Sequence, residues 1–350
     1  MFKIEFMQRA LFLAEKGKGF VSPNPMVGCV IVKDGKIIGE GWHRKFGEAH
    51  AEVNAVLDAE EKGFSVEGAD VYVTLEPCSH FGKTPPCANL LAEKKVKRVF
   101  ISSLDPNPLV AGKGVEILQN AGIEVFHGFL DEKNKELNKF FFYHIRNKLP
   151  YVILKLAITL DGYIADFEGN SKWITNEKSR KKVHKLRSEV DAVLVGSGTV
   201  YTDNPSLTVR LVEGRNPKKV VVDFNGKLDG DFSLFDENAI LICLKNALSD
   251  ERIDYYLKKG TKVIELEQKS VRELLERLYA ENIASILVEG GSVIAGMFAE
   301  SELVNEILLF VAPKLFGEGK RAFSLSSRFS AENPLVLGEG DGFITFKLRS

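Results

Sequence analysis

The stretch Thr74-Leu75-Glu76-Pro77-Cys78-Ser79-His80-Phe81-Gly82-Lys83-Thr84-Pro85-Pro86-Cys87 continues a β-branched run that starts at Val71, and it sets two thiols nine residues apart. Upstream stands His50-Ala51-Glu52. One imidazole and two thiolates make a zinc set that leaves the fourth tetrahedral position to water, the pattern of a catalytic rather than a closed structural site. Zinc lowers the pKa of its water to around 7 and so makes hydroxide available at neutral pH. Glu52 is two residues from His50, and on a regular helix the two side chains diverge. Both face one ion if His50 sits at the helix entrance. Glu52 is then close to the zinc water without binding the metal, able to take its proton and deliver it to a leaving amine. Pro77 suits a first helical turn, which would put Cys78 where helix N–H groups favour a thiolate. Each residue alone has an ordinary explanation. A histidine at a helix start is usually a cap or a surface group, and an intracellular cysteine is usually a small buried apolar residue. The combination is what is rare by chance.

Around this stretch the chain alternates strand-like and helix-like segments. Residues 1–17 read as a helix with Phe2, Phe6 and Leu13 on one face. Residues 29–32, Asp34-Gly35 and Ile37-Ile38 read as strand, tight turn and strand. A helix at 49–62 is ended by Gly63. Strands follow at 71–75 and 98–102, then a helix at 114–121 ended by Gly122 and a strand at 123–126. A lysine-rich helix spans about 132–147. Leu149-Pro150 marks a boundary, because proline disfavours helix at the residue before it. A second alternation places strands at 152–156, 192–195, 220–222, 240–242, 262–264 and 286–288, with a strand-rich end at 307–311 and 343–346. The fold class is therefore α/β, with one domain at 1–148 and another at 149–350. Two domains suit a chain of 350 residues at roughly 150 residues each.

Hydrophobic residues are 45% and charged residues 27% of the chain, which excludes wholesale disorder and collagen-like repeats. Four cysteines are too few for a disulfide scaffold and suit a reduced intracellular set. Lys+Arg of 47 against Asp+Glu of 48 gives a net charge of -1, so no global field captures nucleic acid or an anionic membrane. No apolar run reaches about 18 residues. The first residues, interrupted by Lys3, Glu5, Arg9, Glu15 and Lys16, form no signal-peptide core. A cytoplasmic location is the expectation.

The general zinc-deaminase signature, H-x-E followed by P-C-x-x-C, is stretched here, since residues 79–86 separate the cysteines; a longer loop can reach over a larger substrate. The cysteine stretch, together with Pro23-Asn24-Pro25-Met26-Val27-Gly28-Cys29-Val30 and Asp105-Pro106-Asn107-Pro108, resembles nearly residue for residue the bifunctional riboflavin-biosynthesis deaminase/reductases. The likeness runs over nearly the whole chain. It implies a cytidine-deaminase-like α/β/α first domain, one Zn2+ per chain on His50, Cys78 and Cys87, and Glu52 as the proton shuttle. The implied substrate is a diamino-pyrimidinone carrying a ribosylamino 5′-phosphate, deaminated by hydrolysis to a uracil. By the same likeness Asn24, His43, His80, Asp105 and Asn107 contact the base and sugar phosphate. Amide and carboxylate groups can read pyrimidine edges, and a histidine or Lys83 can meet phosphate. Asn24, Asp105 and Asn107 equally suit turns beside proline. His127 and His144 are assigned to structure or solvent.

In the second half, Lys155-Leu156-Ala157-Ile158-Thr159-Leu160-Asp161-Gly162 reads as a strand entering a turn. Val288-Glu289-Gly290-Gly291-Ser292 reads as a strand, a glycine pair and the start of an apolar helix, where a phosphate can approach backbone N–H groups. Gly196-Ser197-Gly198 lacks the third glycine of the dinucleotide fingerprint and is most simply a turn. Arg187 and Arg210 offer paired donors to a sugar phosphate, although either alone is more simply a solvated charge. Trp173 suits a core position or a lid over a flat ring. These segments resemble the family's C-terminal reductase domain, which implies a dihydrofolate-reductase-like α/β fold and NADPH. The resemblance puts the cofactor at Ala157, Trp173, Thr199, Asp203, Gly291, Ser292, Val293, Ile294, Ala295, Gly296 and Met297. It puts the ribosylamino substrate at Ser171, Arg187, Leu207, Arg210 and Glu289. Phe224 departs, standing where relatives can have a small polar residue near the cofactor. The implied second step reduces the ring-opened ribose to a ribityl chain by hydride transfer to C1′, with water excluded. Lys155 and Glu289 are the candidates for its acid.

The zinc set alone also fits a nucleic-acid-acting zinc deaminase with an appended binding domain, which needs a basic groove or an aromatic stacking face. It fits, too, a structural zinc clip in a binding module. The expected partners are small-molecule pyrimidine ribosyl phosphates, with no nucleic acid, no membrane, and assembly into a homo-oligomer.

Overall fold

The computed structural model describes residues 2–79, 86–108, 110–171, 174–322 and 341–347. The chain divides into two compact units, Met1–Lys148 and Leu149–Ser350, and the division falls beside Pro150. Among the described residues no helix is long and apolar enough to cross a membrane.

The first unit runs α1 (Ile4–Glu15), β1 (Gly28–Lys33), β2 (Lys36–Trp42), α2 (Ala51–Glu61), β3 (Asp70–Leu75), α3 (Cys87–Glu93), β4 (Arg98–Ser103), α4 (Lys113–Asn120), β5 (Glu124–His127), α5 (Asp131–Leu137) and α6 (Lys139–Asn147). Its sheet has the order β2-β1-β3-β4-β5. β1 is antiparallel to both its neighbours, and β3, β4 and β5 are parallel. The inner strands are apolar on both faces because both faces are covered. Phe6, Met7, Ala10 and Leu13 of α1 pack on Val30, Val32, Tyr72 and Phe100. Ala51, Ala55, Ala88, Leu91 and Leu118 pack on Cys29, Ile31, Val71, Val73, Val99 and Ile101 from the other side. The unit is thus a three-layer α/β/α sandwich. Gly41 lets β2 lie directly against the start of α2: a Cβ there would sit 2.3 Å from the Ala51 carbonyl oxygen and from the Ala55 nitrogen.

Two local expectations fail. The helix expected over 132–147 is two helices, divided at Asn138, which has φ −100° and ψ 25°. The Asn138 amide donates to the Met26 carbonyl and its oxygen accepts the Met26 N–H, while the Asn134 amide donates to Thr74 O and Ser103 Oγ. Tertiary hydrogen bonds hold the kink, and the local pattern contains no trace of them. Nor does a helix start at Pro77. Residues 76–79 are irregular, and the helix begins at Cys87 with Pro86 as its cap.

The second unit runs β6 (Tyr151–Thr159), β7 (Tyr163–Asp166), α7 (Glu177–Glu189), β8 (Ala192–Gly196), α8 (Ser197–Asp203), β9 (Lys218–Val222), β10 (Ala239–Leu244), α9 (Asp250–Lys258), β11 (Lys262–Leu266), α10 (Val271–Ala280), β12 (Ser285–Val288), α11 (Ser292–Glu300), β13 (Glu306–Ala312), β14 (Gly319–Arg321) and β15 (Gly342–Lys347). Among the described residues, eight strands form one sheet, β11-β10-β9-β8-β12-β6-β13-β15, with β14 and β7 in a separate ribbon. All pairs in the large sheet are parallel except β13 with β15. The chain runs outward from β8 toward β11 and returns through β12 to the other side. The carboxyl ends of β8, β12 and β6 therefore meet where the direction of winding changes, the place where open α/β sheets bind ligands. Gly196-Ser197-Gly198, read as a turn, opens the short helix α8. The Asp341 carboxylate accepts the Asn176 N–H and the Ser179 hydroxyl, each at 2.6 Å, and so anchors the start of α7.

Candidate active sites

In the first unit, His50 is the N-cap of α2, with φ −74° and ψ 169°. That extended backbone turns its ring away from the helix line, so that it and Glu52 face one point. His50 Nδ1 lies 3.5 Å from Cys78 Sγ and 3.5 Å from Cys87 Sγ, and the three ligand atoms all fall within 4.8 Å of one another. With metal–nitrogen and metal–sulfur bonds of about 2.0–2.3 Å, a tetrahedral zinc site has edges of about 3.6 Å. The residues present therefore fit the ion. The Cys87 N–H donates to Cys78 Sγ at 3.2 Å. A helix terminus thus does favour the Cys78 thiolate, but it is that of α3. Cys78 is pulled down to about 4, chiefly by the Cys87 hydrogen bond and then by His50, against the effect of burial. Sharing with Cys78 pushes the Cys87 thiol well up, and the Cys78 partner raises His50.

Glu52 is 3% exposed. Burial, and next the Cys78 charge, push its carboxyl up to about 7. His43, 2% exposed, is lowered by burial. Its Nδ1 meets the Ala49 carbonyl at 3.1 Å and its Nε2 the Asn24 amide at 3.3 Å. The neutral ring then donates from Nδ1 and accepts at Nε2. A cavity of about 230 Å3 brings together His50, Glu52, Cys78, Asn24, His43, Asp105 and Asn107. It is also lined by Glu76, Phe141 and Ile145, which the sequence reading missed. The signal for the last two was the apolar face of α6. His80 and Lys83 lie outside the described residues.

In the second unit, a cavity of about 570 Å3 gathers Lys155, Ala157, Ser171, Arg187, Thr199, Asp203, Arg210, Glu289 and Gly291. A neighbouring one of about 420 Å3 shares Ser171, Thr199, Asp203 and Gly291 and adds Ser292, Val293 and Ile294. Leu207, Ala295, Gly296 and Met297 line neither cavity. Leu207 is 3% exposed and Ala295 fully buried. Phe224 is likewise buried and borders neither cavity. Trp173 lies outside the described residues. His184 and Arg180 were missed; with Arg187 they recur at i, i+4 and i+7 on α7, a spacing that puts all three on one face.

Glu289 is enclosed by cations. Arg187 grips it with Nε on Oε1 at 2.7 Å and Nη2 on Oε2 at 3.1 Å, and Lys155 Nζ stands 3.3 Å from Oε2. Burial pushes this carboxyl up, but the charge of Arg187 and then that of Lys155 outweigh it and hold it at about 2. Arg187 is thus paired with Glu289 rather than a solvated charge. Arg210 is exposed and bonds Ser206 and Thr208. Four glycines shape the two cavities. A Cβ at Gly196 or Gly290 would collide with Ile294 at 2.5 and 2.6 Å, so these two let α11 pack on the strand ends. A Cβ at Gly198 would meet nothing within 4 Å, and one at Gly291 only Thr199 Oγ1 at 3.6 Å. Open backbone beside a helix start suits a phosphate-bearing cofactor.

Residues 2–103 match the cytidine and deoxycytidylate deaminase zinc-binding region, and residues 150–336 match the RibD C-terminal domain. The chain is 43% identical to riboflavin biosynthesis protein RibD of Actinobacillus pleuropneumoniae over 328 residues, 92% of this chain and 86% of that protein. It is 43% identical to RibD of Aquifex aeolicus, covering 94% and 92%. The crystal structure of a diaminohydroxyphosphoribosylaminopyrimidine deaminase/5-amino-6-(5-phosphoribosylamino)uracil reductase from Thermotoga maritima matches with a TM-score of 0.88 at 43% identity, over 98% of each chain. Acinetobacter baumannii RibD matches at 0.89 and 36%, again over 98% of each. Likeness of this extent across both halves does not favour a nucleic-acid deaminase with an appended domain, and the two units have the cytidine-deaminase-like and RibD reductase folds. The chain belongs to the RibD family of bifunctional riboflavin-biosynthesis deaminase/reductases.

Proposed function

We propose that the two units carry consecutive steps. Residues 1–148 hydrolytically deaminate 2,5-diamino-6-ribosylamino-4(3H)-pyrimidinone 5′-phosphate. Residues 149–350 reduce the ribosyl chain of 5-amino-6-(5-phosphoribosylamino)uracil to the ribityl form with NADPH. The observation that carries the first assignment is the His50, Cys78 and Cys87 cluster, whose His50 and Cys78 line one cavity with buried Glu52 and with Asn24, Asp105 and Asn107. His50, Cys78 and Cys87 would hold one zinc. Zinc bound there lowers the pKa of a coordinated water to around 7. Glu52 takes a proton and returns it to the departing amine nitrogen. Asn24, Asp105 and Asn107 supply donors and acceptors to the pyrimidine edge and sugar, and His43 stays neutral to do the same. A site that reads polar groups in this way discriminates strongly against analogues lacking them.

In the second unit, Thr199, Asp203 and the Gly291–Ile294 backbone would hold NADPH, which supplies the hydride. The Arg187–Glu289–Lys155 cluster positions the ribosyl chain. Arg187 and Lys155 hold Glu289 in its ionised form, which leaves Lys155 as the candidate acid of this step. Arg210 meets the phosphate. A cytoplasmic location and homo-oligomeric assembly belong to the same proposal, the first in keeping with a chain of only four cysteines, two of which would be zinc ligands. The test compares ammonia release from the diamino-pyrimidine phosphate, free nucleosides and single-stranded RNA. Release from the first alone is the expected result, and release from RNA alone would overturn the assignment.

A further inference from the structure

Glu76 follows β3 directly, precedes Pro77-Cys78, and is 4% exposed. Its carboxylate accepts four backbone N–H groups. Oε2 takes those of Asp105 at 3.2 Å and Gly112 at 3.1 Å, and Oε1 those of Gly114 at 2.9 Å and Val115 at 3.4 Å. Asp105 and Gly112 bracket the segment between β4 and α4, while Gly114 and Val115 belong to the first turn of α4. Between them Asp105 Oδ1 accepts the Asn107 N–H at 2.8 Å, and the Asn107 carbonyl accepts the N–H groups of Val110 and Ala111 at 2.9 and 2.8 Å. Among the described residues, one side chain thus ties both ends of this segment to the end of β3. Asp105, Asn107 and Val110 line the cavity of His50, Glu52 and Cys78. The approach tolerates no side chain at Gly114, where a Cβ would lie 2.1 Å from the Pro77 carbonyl oxygen and 3.2 Å from Glu76 Cγ.

We infer that Glu76 is a positioning residue of the deamination site. Its carboxylate fixes the distance between the 105–107 turn, which faces the substrate, and the loop that carries Cys78. A carboxylate is needed because four donors require acceptors on both oxygens. The amide of a glutamine would aim its own N–H groups at two of those donors. The loss then falls on substrate binding rather than on proton transfer, since the substitution replaces neither Glu52 nor a zinc ligand. This inference rests on the deaminase assignment above.

The test is Glu76→Gln in the full-length chain, measured for deamination KM and kcat, zinc content and reductase turnover. A misplaced turn should raise KM for the diamino-pyrimidine phosphate about 10- to 100-fold, with kcat changed far less, one zinc per chain kept and reduction unaffected. Asn107→Ala should add little to the Glu76→Gln effect while raising KM by itself, because both act through one turn. An unchanged KM, a loss confined to kcat, or additive behaviour with Asn107→Ala would overturn the inference. Should Glu76→Gln lose its zinc, Glu76→Asp decides, since it keeps every lone pair but shortens the reach. A raised KM with zinc retained supports positioning, and a wild-type KM refutes it. A wild-type chain that releases no ammonia from this substrate would instead refute the deaminase assignment itself.

Discussion

Glu52 and Glu289 both stand in a cavity wall, one in each unit, with Glu52 3% exposed and 7% of the Glu289 side chain exposed. Their electrostatics are opposite. Burial and the adjacent Cys78 charge push Glu52 to about 7. Glu289 feels the same effect of burial, but Arg187 and Lys155 hold it at about 2. With zinc in place Glu52 faces an added positive charge and its pKa falls from that value. The contrast separates two uses of a buried carboxylate. One can exchange a proton near neutral pH. The other is a fixed negative charge whose work is to hold two cations in place.

The contrast breaks most visibly at Glu52. Glu52→Gln should lower deamination about 10²- to 10⁴-fold, the contribution of one general acid–base group, while zinc content and NADPH oxidation stay as in the wild type. Equal losses in both activities would mean that Glu52 is structural. The next effect falls on the other carboxylate. Arg187→Ala strips Glu289 of its bidentate partner and should destabilise the second unit by about 3–5 kcal/mol, the cost of leaving a charge buried without its partner. Thermal unfolding followed together with reductase activity checks this. Adding Glu289→Gln should restore much of the lost stability but not the reduction. An Arg187→Ala chain as stable as the wild type would show that Lys155 alone suffices.

A smaller effect follows from pH. The folded pKa of Glu289, about 2, lies below its ordinary value of 4.5. The stability it contributes is therefore complete above pH 4.5 and is lost as pH falls from 4.5 through 2. Denaturant midpoints of the second unit between pH 5.5 and 3 should fall more steeply in the wild type than in Glu289→Gln; parallel slopes would contradict the ion-pair account. The smallest effect belongs to Arg210, exposed at the cavity rim. Arg210→Ala should raise the reductase KM for the phosphorylated substrate about tenfold, the worth of one charged hydrogen bond, with kcat near wild type. A fall in kcat would place it nearer the reacting carbon.

The two sites also differ in how far the sequence discloses them. His50-Ala51-Glu52 and Cys78 with Cys87 are local signals, because a strand end and two helix starts bring them together directly. Pro77 misled, since its fixed φ suits an extended loop as well as a helix start; Pro86 was the proline that marked the helix. The four bonds of Glu76 and the break at Asn138 depend on partners distant in sequence, which no periodicity reveals. The second site is assembled from three strand ends and one face of α7, so beyond the Gly290-Gly291 pair and the two arginines its residues carry no shared motif, and the family likeness pointed to the rest. That likeness placed Leu207 and residues 295–297 at the site, whereas the structure buries Leu207 and Ala295 and brings none of the four to either cavity.

The most direct test is metal removal from the intact enzyme. The untreated chain should contain one zinc. Chelation should abolish ammonia release from the diamino-pyrimidine phosphate and leave NADPH-dependent reduction of 5-amino-6-(5-phosphoribosylamino)uracil intact, with deamination returning when zinc is restored. Ammonia release that survives complete loss of zinc would contradict the account at its centre.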